Sequence, residues 1–161
     1  MRWFILNSNI KKLLICIAIP LAVGALSAFL TKDSMAAFQM LNKPALSPPG
    51  FLFPVVWTVL YTLMGIASYL VITSESNKQY IDDAILFYAL QLAVNFFWSI
   101  FFFNFGWYLF SFLWLILLWL LIFITIFAFA KVSKPAAYLL LPYLLWVTFA
   151  GYLNYSIYLL N

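Results

Sequence analysis

The sequence predicts an all-α integral membrane protein, a single domain of residues 1–161 built as a bundle of five transmembrane helices. Hydrophobic residues make up 68% of the chain and charged residues only 7%, whereas soluble domains contain roughly 45–50% apolar and about 25% charged residues. Five apolar runs are each long enough to cross a hydrocarbon layer of about 30 Å as a helix. The runs are apolar on all sides, as in LWLILLWLLIFITIFAFA, whereas strands of a membrane barrel alternate at every second residue.

Polar or helix-terminating segments separate the five runs. They read TKDS, SESNKQ, NFG and KVSKP, and Pro135 falls at a first-turn position where its missing amide costs nothing. The predicted helices cover about residues 13–31, 51–73, 84–103, 108–130 and 135–160, and a loop of residues 32–50 joins the first two. The first run could instead be a signal peptide, but its roughly 19 apolar residues exceed the usual 7–15 and no clean A-x-A site precedes the polar stretch.

Lysine and arginine set the predicted orientation, because short loops rich in these residues stay on the cytoplasmic side. The amino-terminal segment and the second and fourth loops share one face and hold six of the eight cations, while Lys32 and Lys43 lie on the other. We therefore expect the amino terminus inside and the carboxyl terminus outside. The six cations on the inner face are Arg2, Lys11, Lys12, Lys78, Lys131 and Lys134.

The scarcity of ionisable residues excludes most side-chain chemistry. The chain has no histidine, one cysteine (Cys16) and four carboxylates, so a Ser-His-Asp triad, an axial-histidine haem site and a Cys/His metal site all lack their parts. We predict no catalytic residues, no metal ligands and no covalent cofactor.

The net charge of +4 follows from membrane topology, so we predict no nucleic-acid partner. The run interiors hold no charges, which disfavours a charge-coupled pump.

The third run carries a polar and aromatic stripe. Gln91, Asn95 and Trp98 recur at i, i+4 and i+7, and Phe102 extends the row, so the four share one helical face. The amides could bond a neighbouring helix, a contact worth around 1 kcal/mol or less. Alternatively the stripe faces a cavity, where Asn95 offers a donor and an acceptor to a ligand.

The tryptophans fall into two groups according to how deep they lie within the apolar runs. Trp107 lies near a run end, as expected of an interfacial residue. Several others lie a turn or more inside their runs, where a buried indole N–H needs a partner, and a few that face one another would form a flat aromatic slot. These deeper residues are Trp57, Trp98, Trp114, Trp119 and Trp146.

Small residues four apart favour close helix contacts. Gly24 with Ala28, and Ala89 with Ala93, form small-xxx-small pairs that let helix backbones approach. On these faces we expect a homodimer.

Three segments together resemble one family. They are KPALSPPGFLFPVVWTVLY, QLAVNFFWSIFFF and LLLPYLLWVTFAGYLN, and in order and motif they are similar to the TspO/MBR family, the translocator proteins or peripheral benzodiazepine receptors. The resemblance runs from about Pro20 to the carboxyl terminus. It implies a dimeric five-helix bundle in a membrane, here a bacterial cell membrane, with a pocket for protoporphyrin IX or other tetrapyrroles and for drug-like hydrophobic ligands.

The resemblance also implies pocket residues. The motif VVWTVLY supplies Trp57, NFFW supplies Asn95 and Trp98 beside Gln91 of the same stripe, and PYLLW supplies Trp146. A proline-stiffened loop over the mouth would act as a preformed lid that loses little entropy on binding. A simple turn into the second helix is the alternative. The remaining implied lining residues are Ala28, Phe38, Pro48, Phe53, Trp107 and Ala150.

The chain departs from the family pattern at two places. AAFQMLNKPAL stands where many members have a Trp-Tyr pair and a further Trp, so lid contacts fall to Phe38, Leu46 and Phe51. The end LNYSIYLLN lacks the closing Lys or Arg of the sterol motif, so we do not expect cholesterol as the native ligand. Family roles leave three hypotheses: tetrapyrrole binding for sensing, scavenging or regulation; light- and oxygen-dependent porphyrin breakdown; and tetrapyrrole or sterol transport.

Overall fold

Seven helices form one bundle around a core of large apolar side chains. The computed structural model describes the backbone of residues 2–161 and the side-chain environments of residues 9–161, so the side chain of Arg2 lies outside the described part. The α-helices in chain order are α1 (Arg2–Thr31), α2 (Met35–Gln39), α3 (Leu52–Ile72), α4 (Lys78–Ser99), α5 (Tyr108–Val132), α6 (Lys134–Leu139) and α7 (Leu141–Leu160).

Five helical segments among the described residues are long and apolar enough to cross a membrane, which confirms the predicted fold class. They are Asn9–Gln39, Leu52–Ile72, Lys78–Asn104, Tyr108–Val132 and Lys134–Leu160. The closest neighbours in the bundle are α4 with α5, α1 with α3, and α5 with α7. Many apolar side chains point outward, including Leu14, Phe127 and Leu145, as expected where lipid surrounds the bundle.

Helix α4 begins at Lys78, several residues before the predicted start at about residue 84. Asn77 causes this early start, because its side chain accepts a hydrogen bond from the backbone amide of Gln79 at 2.9 Å and so caps the helix. Lys78 also pairs with Asp82 one turn on. The charged residues that marked this segment as a loop therefore form an exposed first turn of a helix.

At its far end α4 widens into a π-helical turn, Ile100–Asn104. The amide of Phe105 donates to the carbonyl of Ile100 at 3.2 Å, and that of Trp107 to Phe101 at 3.1 Å. Gly106 adopts a positive φ of 64°, a conformation that a residue without Cβ reaches at no steric cost. This turn sends the chain directly into α5.

The fifth span is divided at Leu140. Pro142 has no amide hydrogen for the carbonyl of Tyr138, which would be its partner in a continuous helix. The chain therefore ends α6 at Leu139 and restarts α7 at Leu141. The apolar run is continuous across this break, but a proline within a run is expected to kink the helix or to lie near its end, and the break occurs beside Pro142.

The connection of residues 32–50 is ordered into short elements. A 3-10 turn (Lys32–Ser34) leads directly into α2. The amide of Ser47 donates to the carbonyl of Pro44 at 2.9 Å, and that of Leu52 to Pro49 at 3.0 Å. Three of the loop's prolines thus lie in or beside tight turns, and the segment enters α3 without a long flexible stretch.

Candidate functional site

A small cavity lies under the 32–50 connection, where α2, α3, α4 and α7 meet. Its volume is about 30 Å³, and we call it the lid cavity. Aromatic rings form most of its wall, and Ala150 leaves room beside them. The lining residues are Phe38, Ser47, Phe53, Trp98, Phe102, Ala150, Leu153, Asn154 and Ile157.

A larger cavity of about 450 Å³ lies between α1 and α3, and we call it the α1–α3 cleft. Trp57 and Tyr61 form its aromatic side, and Gly24 brings α1 close to them, since a Cβ there would overlap the ring of Tyr61. Hydroxyl groups supply the few polar side-chain atoms on the cleft wall. The lining residues are Leu21, Gly24, Ala25, Ser27, Ala28, Thr31, Met35, Phe53, Pro54, Trp57, Thr58, Tyr61 and Ser99.

Phe53 belongs to the walls of both cavities. Its ring also meets Trp146 edge-on, with ring centroids 5.9 Å apart. Trp146 itself lines a third, open groove of about 460 Å³ between α3 and α7, together with Val55, Val59 and Phe149 among other apolar residues. Phe53 is therefore the side chain that the lid cavity and the α1–α3 cleft share.

Buried aromatic rings surround these spaces in contact with one another. Trp57 stacks on Tyr61, with ring centroids 5.3 Å apart and planes 29° apart, and meets Tyr143 edge-on at 6.1 Å. Trp98 stacks on Phe102 at 5.4 Å and 24°. Offset stacks and edge-to-face pairs of this kind are favourable beyond their buried area, so the rings form stable, flat surfaces at the cavities.

The amides of the α4 stripe lie deeper and bond neighbouring helices. The Tyr143 hydroxyl donates to Gln91 Oε1 at 2.8 Å, and Gln91 Nε2 lies 3.7 Å from the sulfur of Met64. Asn95 Nδ2 donates to the Tyr61 hydroxyl at 3.3 Å. Both amides are 1% exposed. They link α4 to α3 and α7 behind the aromatic walls, as the helix-contact alternative predicts, and Asn95 holds a ring of the cleft.

Of the expected lid residues, Phe38 contacts the bundle directly, whereas Leu46 and Phe51 are 68% and 72% exposed and line neither the lid cavity nor the cleft. The ring of Phe38 on α2 meets Phe102 at 5.8 Å and Phe103 at 5.2 Å, both edge-on, and Lys43 Nζ lies 4.6 Å above it. Phe38 thus closes the lid cavity from above.

Two amide clusters tie this connection to other helices. Asn104 accepts from the Ser34 hydroxyl at 2.8 Å and donates to the carbonyl of Leu30 at 3.1 Å. The backbone of Asn42 bonds the side chain of Asn161 reciprocally. The Asn42 backbone N–H donates to Asn161 Oδ1 at 2.9 Å, and Asn161 Nδ2 donates to the Asn42 backbone carbonyl at 3.0 Å. We call the second pair the Asn42–Asn161 clasp.

The structure brings together most, but not all, of the residues that the sequence suggested. Phe38, Phe53, Trp98 and Ala150 share the lid cavity, and Ala28 and Trp57 share the cleft with Phe53. Trp146 reaches this group through Phe53. Gln91 and Asn95 lie behind the walls.

Pro48 and Trp107 stand apart from these cavities. Pro48 is half-buried in the connection and is absent from the cavity linings described above. Trp107 is 53% exposed and stacks on Phe101 with ring centroids 6.2 Å apart, on the outer side of the π-helical turn. The interfacial location of Trp107 in the membrane stays a prediction.

Several lining residues were missed by the sequence reasoning. On α7 they are Leu153, Asn154 and Ile157, which follow Ala150 at i+3, i+4 and i+7. Helical periodicity from Ala150 would have found them. Tyr61 of the cleft follows Trp57 by four residues and was available from the same rule.

The walls of the lid cavity and the cleft carry aromatic, aliphatic, hydroxyl and amide side chains. Among the described residues, no group of three or more His, Cys, Asp or Glu side chains could hold a metal ion. Such walls can bind a flat apolar molecule by stacking and orient it through a few hydrogen bonds.

Comparison with known proteins agrees with this architecture. The model of the TspO/MBR family matches residues 16–160. The chain is 43% identical over 157 residues to Tryptophan-rich protein TspO of Chlorobaculum tepidum, covering 97% of this chain and 99% of that protein. It is 39% identical to Tryptophan-rich protein TspO of Archaeoglobus fulgidus, covering 95% and 99%, and 35% identical to the Translocator protein of Bos taurus, covering 87% and 84%. The chain is therefore a multi-pass membrane protein that belongs to the TspO/MBR family.

Proposed function

We propose that this protein binds porphyrins, protoporphyrin IX among them, and related flat hydrophobic ligands, and that it serves in sensing, scavenging or regulating tetrapyrroles. The observation that carries the proposal is the aromatic junction at Phe53, which borders both the lid cavity and the α1–α3 cleft and touches Trp146. The cleft of about 450 Å³ falls within the range of about 300–1,000 Å³ typical of small-molecule sites.

The chemistry of the walls suits a macrocycle. A flat conjugated ring in the cleft would bury a large apolar area against Trp57. The offset stack of Trp57 on Tyr61 is an example of the favourable geometry that such a ring can adopt. Hydroxyl groups of Thr58 and Ser99 at the cleft can bond polar substituents. Family membership supports the same class of ligand, as the sequence resemblance implies.

Fluorescence quenching tests this proposal. Titration of the purified protein in lipid nanodiscs with protoporphyrin IX should quench intrinsic tryptophan emission with micromolar or better affinity. Trp57→Phe and Trp146→Phe should each weaken binding, by about fivefold if each loses roughly 1 kcal/mol of stacking. Trp119→Phe is the matched control, because Trp119 stacks on Phe123 and bonds Thr148 away from these cavities. Binding that is unchanged in both test variants contradicts the proposal.

A second candidate is light- and oxygen-dependent porphyrin breakdown. It is favoured by the contact of two oxidisable rings, Trp57 and Tyr61, at the cleft wall. In this reaction the excited porphyrin turns dioxygen into the oxidant that opens the macrocycle, and the aromatic side chains supply electrons or confine the product, so no acid or base from the protein is needed. Illumination with protoporphyrin IX should produce a bilin-like absorption band that is lost in Trp57→Phe. Porphyrin loss at the rate found in empty nanodiscs would exclude it.

Transport of tetrapyrrole or sterol is the remaining alternative. The described spans contain no midplane charge of the kind that secondary active transporters use. Passage along the apolar α3–α7 groove would be facilitated diffusion. Flux of porphyrin into proteoliposomes, compared with protein-free vesicles, decides between binding and transport.

Orientation and assembly complete the proposal. We assign the start of α1 and the α3–α4 and α5–α6 connections to the cytoplasmic side from their cations. Active alkaline phosphatase fused after Asn161 would support this, and activity of a cytoplasmic reporter there would contradict it.

For a homodimer, the exposed Ala89 and Ala93 of α4 offer a small-residue face, whereas Gly24 already contacts Tyr61 of the same chain. Ala93→Leu should shift the dimer towards monomer in native mass spectrometry. A dimer population that Ala93→Leu leaves unchanged would argue against this face.

A further inference from the structure

Asn154 on α7 joins the lid cavity to both sides of the π-helical turn. Its side chain is 1% exposed and lines the cavity. Asn154 Oδ1 accepts a hydrogen bond from Trp98 Nε1 at 3.1 Å, and Asn154 Nδ2 donates to the carbonyl oxygen of Tyr108 at 2.8 Å. Trp98 lies before the turn and Tyr108 begins the helix after it.

The second hydrogen bond fixes the direction of the first. A backbone carbonyl oxygen can only accept, so the NH₂ group of Asn154 must face Tyr108. The amide oxygen is thereby held towards Trp98, whose Nε1–H is the one polar group of that side chain and can only donate. Leucine would have a similar volume at this position but could make neither bond.

The hydrogen bond to Asn154 limits how the indole of Trp98 can turn. Its ring stacks on Phe102, with ring centroids 5.4 Å apart, and both rings line the lid cavity with Phe38. One edge of the indole is bonded to α7, one face lies on Phe102 and Phe103 meets it edge-on at 6.1 Å, so the part of the ring that lines the cavity is held in one orientation. Pre-set orientation of this kind reduces the entropy lost when a ligand stacks.

Other indole groups have different partners. Trp114 Nε1 donates to the backbone carbonyl of Val94 at 2.8 Å, and Trp119 Nε1 donates to the Thr148 hydroxyl at 2.8 Å. Neither indole lines the lid cavity or the α1–α3 cleft. The Trp119 pair also joins α5 to α7, so it provides a structural bond of similar chemistry away from the cavities.

We propose that Asn154 is a positioning residue for ligand recognition: it sets the plane of the Trp98 indole in the wall of the lid cavity, whose volume of about 30 Å³ takes a small edge group of a flat macrocycle rather than its whole ring. The inference rests on the proposed porphyrin-binding function. Asn154 acts through Trp98 and need not touch the ligand.

A double-mutant cycle in nanodiscs tests this assignment with protoporphyrin IX as the probe. Asn154→Leu should weaken binding by about fivefold, the effect of losing one hydrogen bond that organises the site. Trp98→Phe, which removes the donor and keeps an aromatic ring, should weaken it by a similar factor. In the double variant the two losses should not multiply, because both remove the same interaction. Thr148→Val, which breaks the Trp119 bond, should leave affinity unchanged.

Two further measurements separate positioning from general stability. The induced circular dichroism of bound porphyrin depends on its orientation, so it should change in Asn154→Leu and stay constant in Thr148→Val. Asn154→Asp should restore binding at about pH 5 relative to the wild type at the same pH, because a buried carboxyl group in its protonated form has the same shape and offers both an acceptor and a donor. This rescue variant keeps the test decisive where Asn154→Leu fails to fold.

Different outcomes overturn different claims. Absence of porphyrin binding in the wild-type protein overturns the proposed function, and the role of Asn154 falls with it. Wild-type binding with an unchanged affinity and dichroism in folded Asn154→Leu overturns the positioning role alone. Multiplicative losses in the double variant would also overturn it, since they would show that Asn154 and Trp98 act separately.

Discussion

The two ends of the bundle are packed in opposite ways. At the end where α3 meets α4 and α5 meets α6, Val71, Ala84, Phe129 and Ala136 are fully buried with 0% exposure. At the other end, Phe53, Trp57 and Trp98 border open volume. Alanines between helices allow close approach, and the space at this end is an open surface groove of about 210 Å³ beside Ala130 and Ala137, whereas stiff rings of unequal shape leave gaps between them. We infer that the first end, which we call the packed end, supplies stability and that the second supplies the ligand site.

Removing a large side chain from the packed end should have the largest effect. Phe129→Ala should destabilise the protein by about 3–5 kcal/mol, because the cavity left behind cannot collapse in a fully packed region. Phe127→Ala is the matched control on the same helix, since Phe127 is 57% exposed and its loss leaves no internal cavity. Equilibrium unfolding in mixed micelles measures both. Equal destabilisation of the two variants would show that the packed end contributes no more to stability than the exposed surface of the same helix.

A smaller effect is expected from Gly24→Ala at the ligand end. The added Cβ would overlap the Tyr61 ring, which must then shift against Trp57, a change that typically costs about 1–3 kcal/mol. Gly151→Ala is the control, because its Cβ would meet only Leu115 at an ordinary 3.6 Å and alanine favours a helix by up to about 1 kcal/mol. We expect lower stability and weaker porphyrin binding in the first variant, and equal or higher stability in the second. Unaltered porphyrin affinity in Gly24→Ala would separate the cleft from the binding site.

The smallest effect on stability is expected at the Asn42–Asn161 clasp. Its bonds are exposed and join the Asn161 side chain to the Asn42 backbone, so Asn161→Ala, which removes both, should cost no more than about 1 kcal/mol. The local effect should be larger, since the lid loses its tie to α7. Hydrogen exchange of residues 38–47 should accelerate while that of α5 stays constant. If residues 38–47 exchange as slowly in this variant as in the wild type, the Phe38 contacts hold the lid without the clasp.

Much of the fold was predictable because lipid imposes a simple rule: every spanning backbone must be helical over a fixed length. The five spans, the polar breaks and the stripe of Gln91, Asn95 and Trp98 all followed from run length and helical periodicity. The early start of α4 did not, because a local cap at Asn77 outweighed the charged composition of that turn. The division of α6 from α7 depends on one missing amide at Pro142, which the proline itself indicates although the hydropathy of the run does not.

The site was less predictable than the fold. Periodicity placed Gln91 and Asn95 on one face but could not tell whether that face meets a ligand or another helix, and the observed bonds to Tyr143 and Tyr61 depend on helices far away in sequence. The same limit applies to Asn154, whose two partners lie 56 and 46 residues away. The pocket roles of Phe38, Trp57, Trp98 and Trp146 stay predictions until ligand binding is measured.

The Asn42–Asn161 clasp joins residues separated by 119 positions, and this distance orders events during biosynthesis. Residue 42 leaves the ribosome several spans before its partner, at a synthesis rate of about 5–20 residues per second. Until the final helix has been inserted, the first connection has no anchor there, and a nascent chain paused earlier would present an uncovered mouth.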